Sequence, residues 1–139
     1  MSADWGTCVL LSVKPRFADL ILAGTKRVEF RRSWAARDVS HIAIYSSAPV
    51  QRIVAIAAVE DVVRTTSWNL WKHSTARGGG LSRSELLDYF EGKDEGYALL
   101  LGEVTVLPEP LLPSDLISPF TPPQSFRYLT EREAERLWA

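Results

Sequence analysis

The feature that most constrains this chain is the stretch from Gly24 to Arg31, where charges of both signs stand between apolar residues. A strand that alternates apolar and charged residues buries one face and presents the other. We therefore expect Val28 and Phe30 to point inward. The charged side chains of the opposite face are then Arg27, Glu29 and Arg31, beside Lys26. Such a row predicts an outward-facing charged rim for a ligand that has hydrogen-bonding edges and negative charge.

The length of 139 residues predicts a single domain over residues 1–139, and the composition predicts a globular protein. Apolar residues make up 46% and charged residues 24% of the chain, which argues against disorder. The single cysteine, Cys8, excludes an internal disulfide and fits a reducing, cytoplasmic location. No zinc-ligand spacing is present, so we expect no metal and no cofactor. No apolar run is long enough to span a bilayer, so we expect no membrane partner.

Charge is unevenly distributed along the chain, although the formal net charge is only −1. Basic residues predominate up to residue 40, and acidic residues predominate from residue 81 onward. A surface polarised in this way can attract a polyanion to one side. The alternative interpretation is that the basic and acidic regions form two solvated faces without a functional role.

The first half of the chain predicts strands on both sides of one amphipathic helix. An apolar strand from Cys8 to Val13 leads into a helix with Pro15 at its first position. Gly24 is suited to the left-handed cap that ends this helix. Further strands are expected at residues 27–31, 39–45 and 53–63, with a loop at 33–38 and a turn at 46–49.

The second half predicts short helices, one long strand and a proline-rich segment. Ser82 and Glu85 match a capping box at the start of a helix. Three glycines end the stretch 75–80, which we expect to be a mobile loop, and prolines exclude long regular structure from 107–123. Helices are expected at residues 67–73, from residue 82 onward and at residues 131–138. Strands are expected at residues 97–106, with a bulge at Gly102, and at residues 124–128.

The order of these elements indicates the fold class. Several strands follow one another without an intervening helix, which disfavours a doubly wound parallel sheet. We therefore expect an α+β fold in which a small mixed sheet or barrel has helices packed at its ends.

The signature residues and three other segments resemble a known family. Gly24, Lys26, Glu29 and Arg31 match the G-x-K-x-x-E-x-R signature of the ASCH domain, a member of the PUA-like superfamily. The resemblance extends to residues 12–15, 44–49 and 122–129, and so covers residues 8–130, with the last helix beyond it. It implies a PUA-like mixed β-barrel whose cleft is lined by the signature residues.

The resemblance also implies a role with RNA or nucleotides. We expect a module that binds RNA, or a modified nucleoside or nucleotide, and holds a base in the charged cleft at the barrel mouth. Two enzymes would use the same cleft, because some bacterial members hydrolyse N4-acetylcytidine and at least one is reported to cleave single-stranded RNA. In either enzyme, Lys26 and Glu29 would be catalytic. The acylcytidine hydrolases carry a threonine where this chain has Glu29, and residues 62–84 lack the carboxylate that they use. An interaction domain without a nucleic-acid ligand is the remaining alternative.

The candidate site residues stand mostly at the ends of predicted elements. Lys14 precedes a helix, where free N–H groups and the helix dipole favour an anion. Lys26 can bind phosphate or, with a lowered pKa, act as a base. Glu29 can accept from an exocyclic amine or simply pair with Arg31. The full set is Lys14, Lys26, Glu29, Arg31, Tyr45, Ser46, Gln124, Ser125 and Phe126.

Aromatic side chains offer stacking surfaces or core packing. Tyr45 can stack on a base, a contact worth ~1–3 kcal/mol, or stand half in the core. Phe126 can pack beneath a base or fill the barrel. Gln124 and Ser125, which precede it, can contact a base edge, or Gln124 can instead bond to backbone groups of the protein. Trp68 and Trp71, three residues apart, can form a stacking platform, although core packing suits at least one of them.

Overall fold

The computed structural model describes residues 6–138, which form a mixed six-stranded sheet and four α-helices. Six β-strands, four α-helices and one 3₁₀ turn follow one another in this part of the chain. In order they are β1 (Cys8–Val13), α1 (Pro15–Leu22), β2 (Val28–Arg31), β3 (His41–Ser46), β4 (Arg52–Thr65), α2 (Ser67–Arg77), α3 (Arg83–Tyr89), β5 (Gly96–Leu111), the 3₁₀ turn (Pro113–Asp115), β6 (Phe126–Tyr128) and α4 (Glu131–Trp138).

The sheet has the strand order β2-β5-β4-β3-β1-β6 and curves into a half-barrel. β1 and β3 pair in parallel, with α1 and β2 between them in sequence, and the other neighbouring strands are antiparallel. The expected α+β fold with a PUA-like mixed sheet is confirmed. The edges of the half-barrel are β2 and β6.

Contacts between side chains and backbone join the two edges of the half-barrel. Arg31 of β2 donates from Nη2 to the carbonyl oxygen of Ser12, in β1, at 2.6 Å. Trp34 follows β2, and its ring lies 5.0 Å from that of Phe126 in β6. β2 therefore contacts the far side of the sheet through side chains rather than through a ladder of backbone hydrogen bonds.

Apolar residues cover both faces of the sheet. The inner face, defined as the one that packs on α1, carries Val9, Leu11, Val13, Ile42, Ile44, Leu99 and Leu101 against Ala18 and Ile21. The other face of β1 and β3 packs on residues 116–117 and α4, while Val28, Phe30 and Ala98 pack on α2 and α3. Glu29 pairs in register with Leu99, so its side chain lies on the inner face.

The sequence prediction was wrong about the three glycines. α2 continues to Arg77, beyond the expected end at residue 73, and Gly78 caps it with a left-handed φ of 66°. Arg77 anchors this end because its side chain donates to the carbonyl oxygens of Arg27 and Leu101. Gly79 is buried. The stretch 75–80 is therefore a helix end followed by a packed turn, not the expected mobile loop.

A second error concerns the prolines after residue 106. β5 continues to Leu111, although Pro108 and Pro110 lie within it. Between the paired positions Ala55↔Val106 and Ile53↔Leu111, β5 uses more residues than β4 does. The extra residues leave the regular ladder, so prolines are tolerated there. The bulge expected at Gly102 does coincide with a register shift between Ala57 and Val59 of β4.

Cys8 is buried, as expected, and its thiol should be unreactive in the folded protein. The side chain is 2% exposed, and burial raises its pKa to about 12. We expect no labelling by an aromatic disulfide reagent at about pH 8, because the reactive species is the thiolate. Labelling of one thiol per chain in denaturant is the internal control. Rapid labelling of the native protein would contradict the buried position.

Candidate functional site

The signature residues form one ionic cluster between β2 and α1. Glu29 bridges two cations: its Oε2 lies 3.1 Å from Nη2 of Arg31, and its Oε1 lies 3.6 Å from Nζ of Lys26. The structure thus brings together Lys26, Glu29 and Arg31, three of the predicted site residues. Arg27, expected on the same face, precedes the strand and is exposed.

The expected outward-facing rim is wrong, because the cluster is buried. The exposed fractions are 2% for the Lys26 side chain, 8% for Glu29 and 11% for Arg31. Strand alternation does separate Glu29 from Val28 and Phe30. However, the face opposite the apolar residues is the inner face of the half-barrel, and neighbouring segments cover it. The charged residues therefore lie inside the fold rather than at an open edge.

Lys26 is held by the backbone and by aromatic rings. Its Nζ donates to the carbonyl oxygen of Gly79 at 2.5 Å and lies 4.9 Å from the ring centroid of Phe17 and 5.5 Å from that of Phe30. Burial lowers the pKa of the Lys26 ammonium below its ordinary value, while the neighbouring Glu29 carboxylate opposes that shift. Lys26 thus packs in the interior, with its ammonium held by Gly79 and Glu29.

The cluster contains more positive than negative charge. Two cations share one carboxylate, so the formal sum is +1 when all three side chains are ionised. Burying a charge without compensation is costly. Arg31 also keeps Nε buried without a hydrogen-bond partner among residues 6–138. This arrangement favours an anion beside Arg31.

Ser46 provides a second buried donor without a partner. The residue is 2% exposed, and its Oγ makes no hydrogen bond within the described chain. Ser46 is the register partner of Val13, next to the Ser12 carbonyl that Arg31 contacts. It alternates onto the same face as Ile44, which is the inner face. Arg31 and Ser46 therefore lie near the same end of the half-barrel, where β1 and β3 finish.

The start of α1 lies at this end as well. Lys14 is the N-cap residue, it is exposed, and no side chain caps the helix there. Ser12 connects the region to the segment before β6, since its N–H donates to the Ser125 carbonyl at 3.1 Å and its Oγ donates to that of Pro123 at 2.7 Å. We name this end, comprising Lys14, Arg31, Ser46 and Ser125, the β1/β3 mouth.

The remaining predicted residues divide between the mouth and the core. Gln124 is exposed beside Ser125. Phe126 packs against the inner-face cluster, which matches the barrel-filling alternative. Tyr45 is 2% exposed and packs on the opposite face of β3, with its ring 5.4 Å from that of Phe120. Both faces of the strand are thus covered at Tyr45, and no described contact links its ring to the ionic cluster.

A separate cleft of about 360 Å³ lies between the β2–β3 connection and β4. Trp34, Arg37, Asp38, Asp61 and Tyr97 are among the residues that line it, and none of the predicted site residues does so. Among residues 6–138, no group of three or more metal-ligating side chains is arranged for an ion. Within the same residues, no helix combines the length and the apolar character needed to cross a membrane.

Two backbone contributions to the ionic cluster were not predicted. The carbonyl of Ser12 orients Arg31, but a backbone oxygen leaves no mark in the sequence. Gly79 accepts from Lys26 in the same way. The only sequence signal for this contact is the run of three glycines at residues 78–80, because glycine allows close approach of two backbone segments.

The half-barrel with its inward charged cluster defines an α+β protein of the PUA-like kind. The model of the ASCH domain matches residues 11–106, and the chain belongs to the ASCH domain family. A curated relative, the ASCH domain-containing ribonuclease of Zymomonas mobilis, is 33% identical over 135 residues, which cover 92% of this chain and 88% of that protein.

Solved structures support the same assignment. The crystal structure of ASCH from Zymomonas mobilis superposes with a TM-score of 0.86 at 32% identity, covering 94% of this chain and 93% of that one. A tyrosine-to-phenylalanine variant of the Zymomonas protein gives a TM-score of 0.83 at 31% identity and covers 94% of this chain and 96% of its own.

Proposed function

We propose that this protein binds RNA at the β1/β3 mouth and cleaves it. The observation that carries the proposal is the buried excess of positive charge, with donors of Arg31 and Ser46 left without partners in the described chain. A phosphodiester supplies one negative charge and several acceptor oxygens. Similarity to a ribonuclease over nearly the whole length of both chains supports the choice of RNA.

Each residue of the mouth suits a phosphate in a different way. The Arg31 guanidinium offers Nε in a fixed plane, which favours charge-assisted bonds to phosphate oxygens. Ser46 offers a hydroxyl, and the uncapped start of α1 offers the Arg16 N–H and the positive end of its dipole. Pro15 has no N–H, and that of Phe17 donates to the Lys14 carbonyl at 2.9 Å. Lys14 adds exposed charge that can steer a polyanion to the mouth.

The buried part of the cluster positions Arg31 in this proposal. Glu29 holds Nη2 of Arg31 from one side and the Ser12 carbonyl holds it from the other, which leaves Nε directed elsewhere. Lys26 offsets the charge of Glu29. Lys26 and Glu29, the expected catalytic pair, therefore support the site without contacting the substrate. Gln124 and Ser125 stand where they can contact a base.

The decisive measurement is cleavage of end-labelled single-stranded RNA by highly purified protein. We expect cleavage by the wild type and a loss of roughly 10²–10³-fold in kcat/KM for Arg31→Lys, the range for one donor that stabilises developing charge. The lysine keeps the positive charge but removes Nε. Arg64→Lys is the matched control, because Arg64 pairs with Glu95 on the surface at 3.3 Å.

Thermal denaturation of both variants separates a loss of function from a loss of fold. Full activity of a folded Arg31→Lys variant would contradict the role of the mouth. If the wild type binds RNA in a salt-dependent way without cutting it, the proposed cleavage is wrong and the proposed RNA binding is supported. Release of acetate from N4-acetylcytidine, with intact RNA, would instead favour the acylcytidine hydrolase.

A further inference from the structure

Trp68, in the first turn of α2, stands out among the apolar residues of the surface. It is 56% exposed, more than the other large apolar side chains exposed in the described chain. Its neighbour Trp71 packs on the cluster beneath α2, so the two tryptophans have different environments. A single exposed apolar residue is ordinary in a protein surface. The charges around Trp68 are what make this position informative.

Two cations lie beside the Trp68 ring. Cζ of Arg83 is 5.1 Å and Nζ of Lys72 is 5.9 Å from the ring centroid. Lys72 lies one helical turn after Trp68 on α2, and Arg83 begins α3. Neither cation forms an ion pair or a side-chain hydrogen bond with any described residue. An exposed indole thus lies beside two positive charges that form no ion pair among residues 6–138.

Glu85, the carboxylate in the first turn of α3, is engaged elsewhere. Glu85 binds Arg16 of α1 through two hydrogen bonds of 2.7 and 3.0 Å. The hydrogen bonds from Arg16 hold the pKa of Glu85 to about 2, so this carboxylate stays ionised and paired at neutral pH. The positive charge of Arg83 and Lys72 therefore remains available to an external ligand.

We propose that Trp68, Lys72 and Arg83 form an auxiliary surface that stacks a base of single-stranded RNA outside the β1/β3 mouth. The proposal rests on the proposed function. Each base has an apolar π-face that can stack on the indole, and each nucleotide brings a phosphate that the cations can neutralise. The two cations require a negatively charged ligand, and the exposed indole favours one that also has a π-face; an acidic peptide would satisfy the charges but not the ring, so the combination favours the nucleic acid.

The position of this surface suits an extended strand. Arg83 precedes Glu85 by two residues, about 3 Å along the axis of α3, and the two side chains leave the helix on different faces. Glu85 contacts Arg16 in the first turn of α1, and Lys14 of the mouth caps that turn. The auxiliary surface thus lies on the α3 side of the helix start that borders the mouth. In this proposal, a strand that leaves the mouth along α3 contacts Trp68, whereas a dinucleotide held at the mouth does not.

The test compares long and short substrates. Fluorescence anisotropy with a labelled RNA of about 12 nucleotides should show Kd raised about 5- to 150-fold by Trp68→Ala, and largely restored by Trp68→Phe. The kcat/KM for a dinucleotide should not change. Val106→Ala, which alters another side chain that is 52% exposed, is the matched control. Replacing Lys72 and Arg83 by glutamine should each reduce the slope of log Kd against log salt by about 0.7.

The outcomes distinguish this surface from the mouth. Unchanged affinity of Trp68→Ala for the long RNA, in a wild type that binds and cleaves it, would overturn the auxiliary surface alone. A wild type without affinity for RNA would overturn both proposals. Loss of binding to anionic lipid vesicles in Trp68→Ala, with RNA binding intact, would also overturn it, because the surface would then contact a membrane.

Discussion

Replacing Glu29 with glutamine is expected to lower the free energy of unfolding by about 3–5 kcal/mol, the cost of removing one partner from a buried ionic pair. The substitution preserves the shape of the side chain but removes the charge that offsets Lys26 and Arg31. Both cations are at most 11% exposed in their side chains, so water compensates poorly for the lost carboxylate. Urea denaturation monitored by circular dichroism measures the change.

Glu60→Gln is the matched control for this experiment. Glu60 also lies 3.1 Å from an arginine, Arg77, but its side chain is 55% exposed, whereas that of Glu29 is 8% exposed. Exposed ion pairs contribute only about 0–1 kcal/mol, so Glu60→Gln should have little effect. Equal losses in the two variants would show that the cluster around Glu29 is solvated, and that the excess charge argued for the mouth is screened.

The same cluster shows how far the sequence could predict the site. Alternation along β2 separated Glu29 and Arg31 from Val28 and Phe30, and the spacing of the signature residues brought Lys26 close to Glu29. These are local properties of a strand and of the turn before it. Whether the charged face is open depends on the curvature of the sheet and on α1, which no local pattern records.

Orientation of Arg31 depends on a partner that is distant in the fold. The Ser12 carbonyl belongs to β1, four strands away in the sheet order, and reaches Arg31 only because the curved sheet brings β2 back towards β1. The sequence marked Lys14 and Ser46 as candidates through the ends of their elements, and both lie at the mouth. It also marked Tyr45, but this side chain packs in the core on the face of β3 opposite the ionic cluster.

The glycines after α2 link the fold of this region to the ionic cluster. The Gly79 carbonyl accepts a hydrogen bond from Nζ of Lys26, so the backbone path of this turn determines the position of the lysine ammonium. A Cβ at Gly78 would lie 2.0 Å from the carbonyl oxygen of Thr25. That oxygen cannot easily yield, because the same peptide group donates from the Lys26 N–H to the Leu20 carbonyl at 3.1 Å. Close packing of two backbone segments therefore requires glycine here.

Gly78→Ala is accordingly expected to destabilise the protein by about 3 kcal/mol. Two causes contribute: a left-handed φ of 66°, which costs a residue with a Cβ ~1–2 kcal/mol, and overpacking against backbone, which costs ~1–3 kcal/mol. Thermal and urea denaturation measure the sum. The turn should also shift away from Lys26, which loosens the cluster.

Gly24→Ala separates the cost of overpacking from the cost of a left-handed φ. Gly24 also has a left-handed φ, 81°, but a Cβ there would meet no atom within 4 Å. Its substitution should cost only the conformational term of ~1–2 kcal/mol. The difference between the two variants then measures the contact between residue 78 and Thr25. Equal destabilisation would mean that the turn relaxes freely, and the backbone of the three glycines would then not be what holds Lys26 against Glu29.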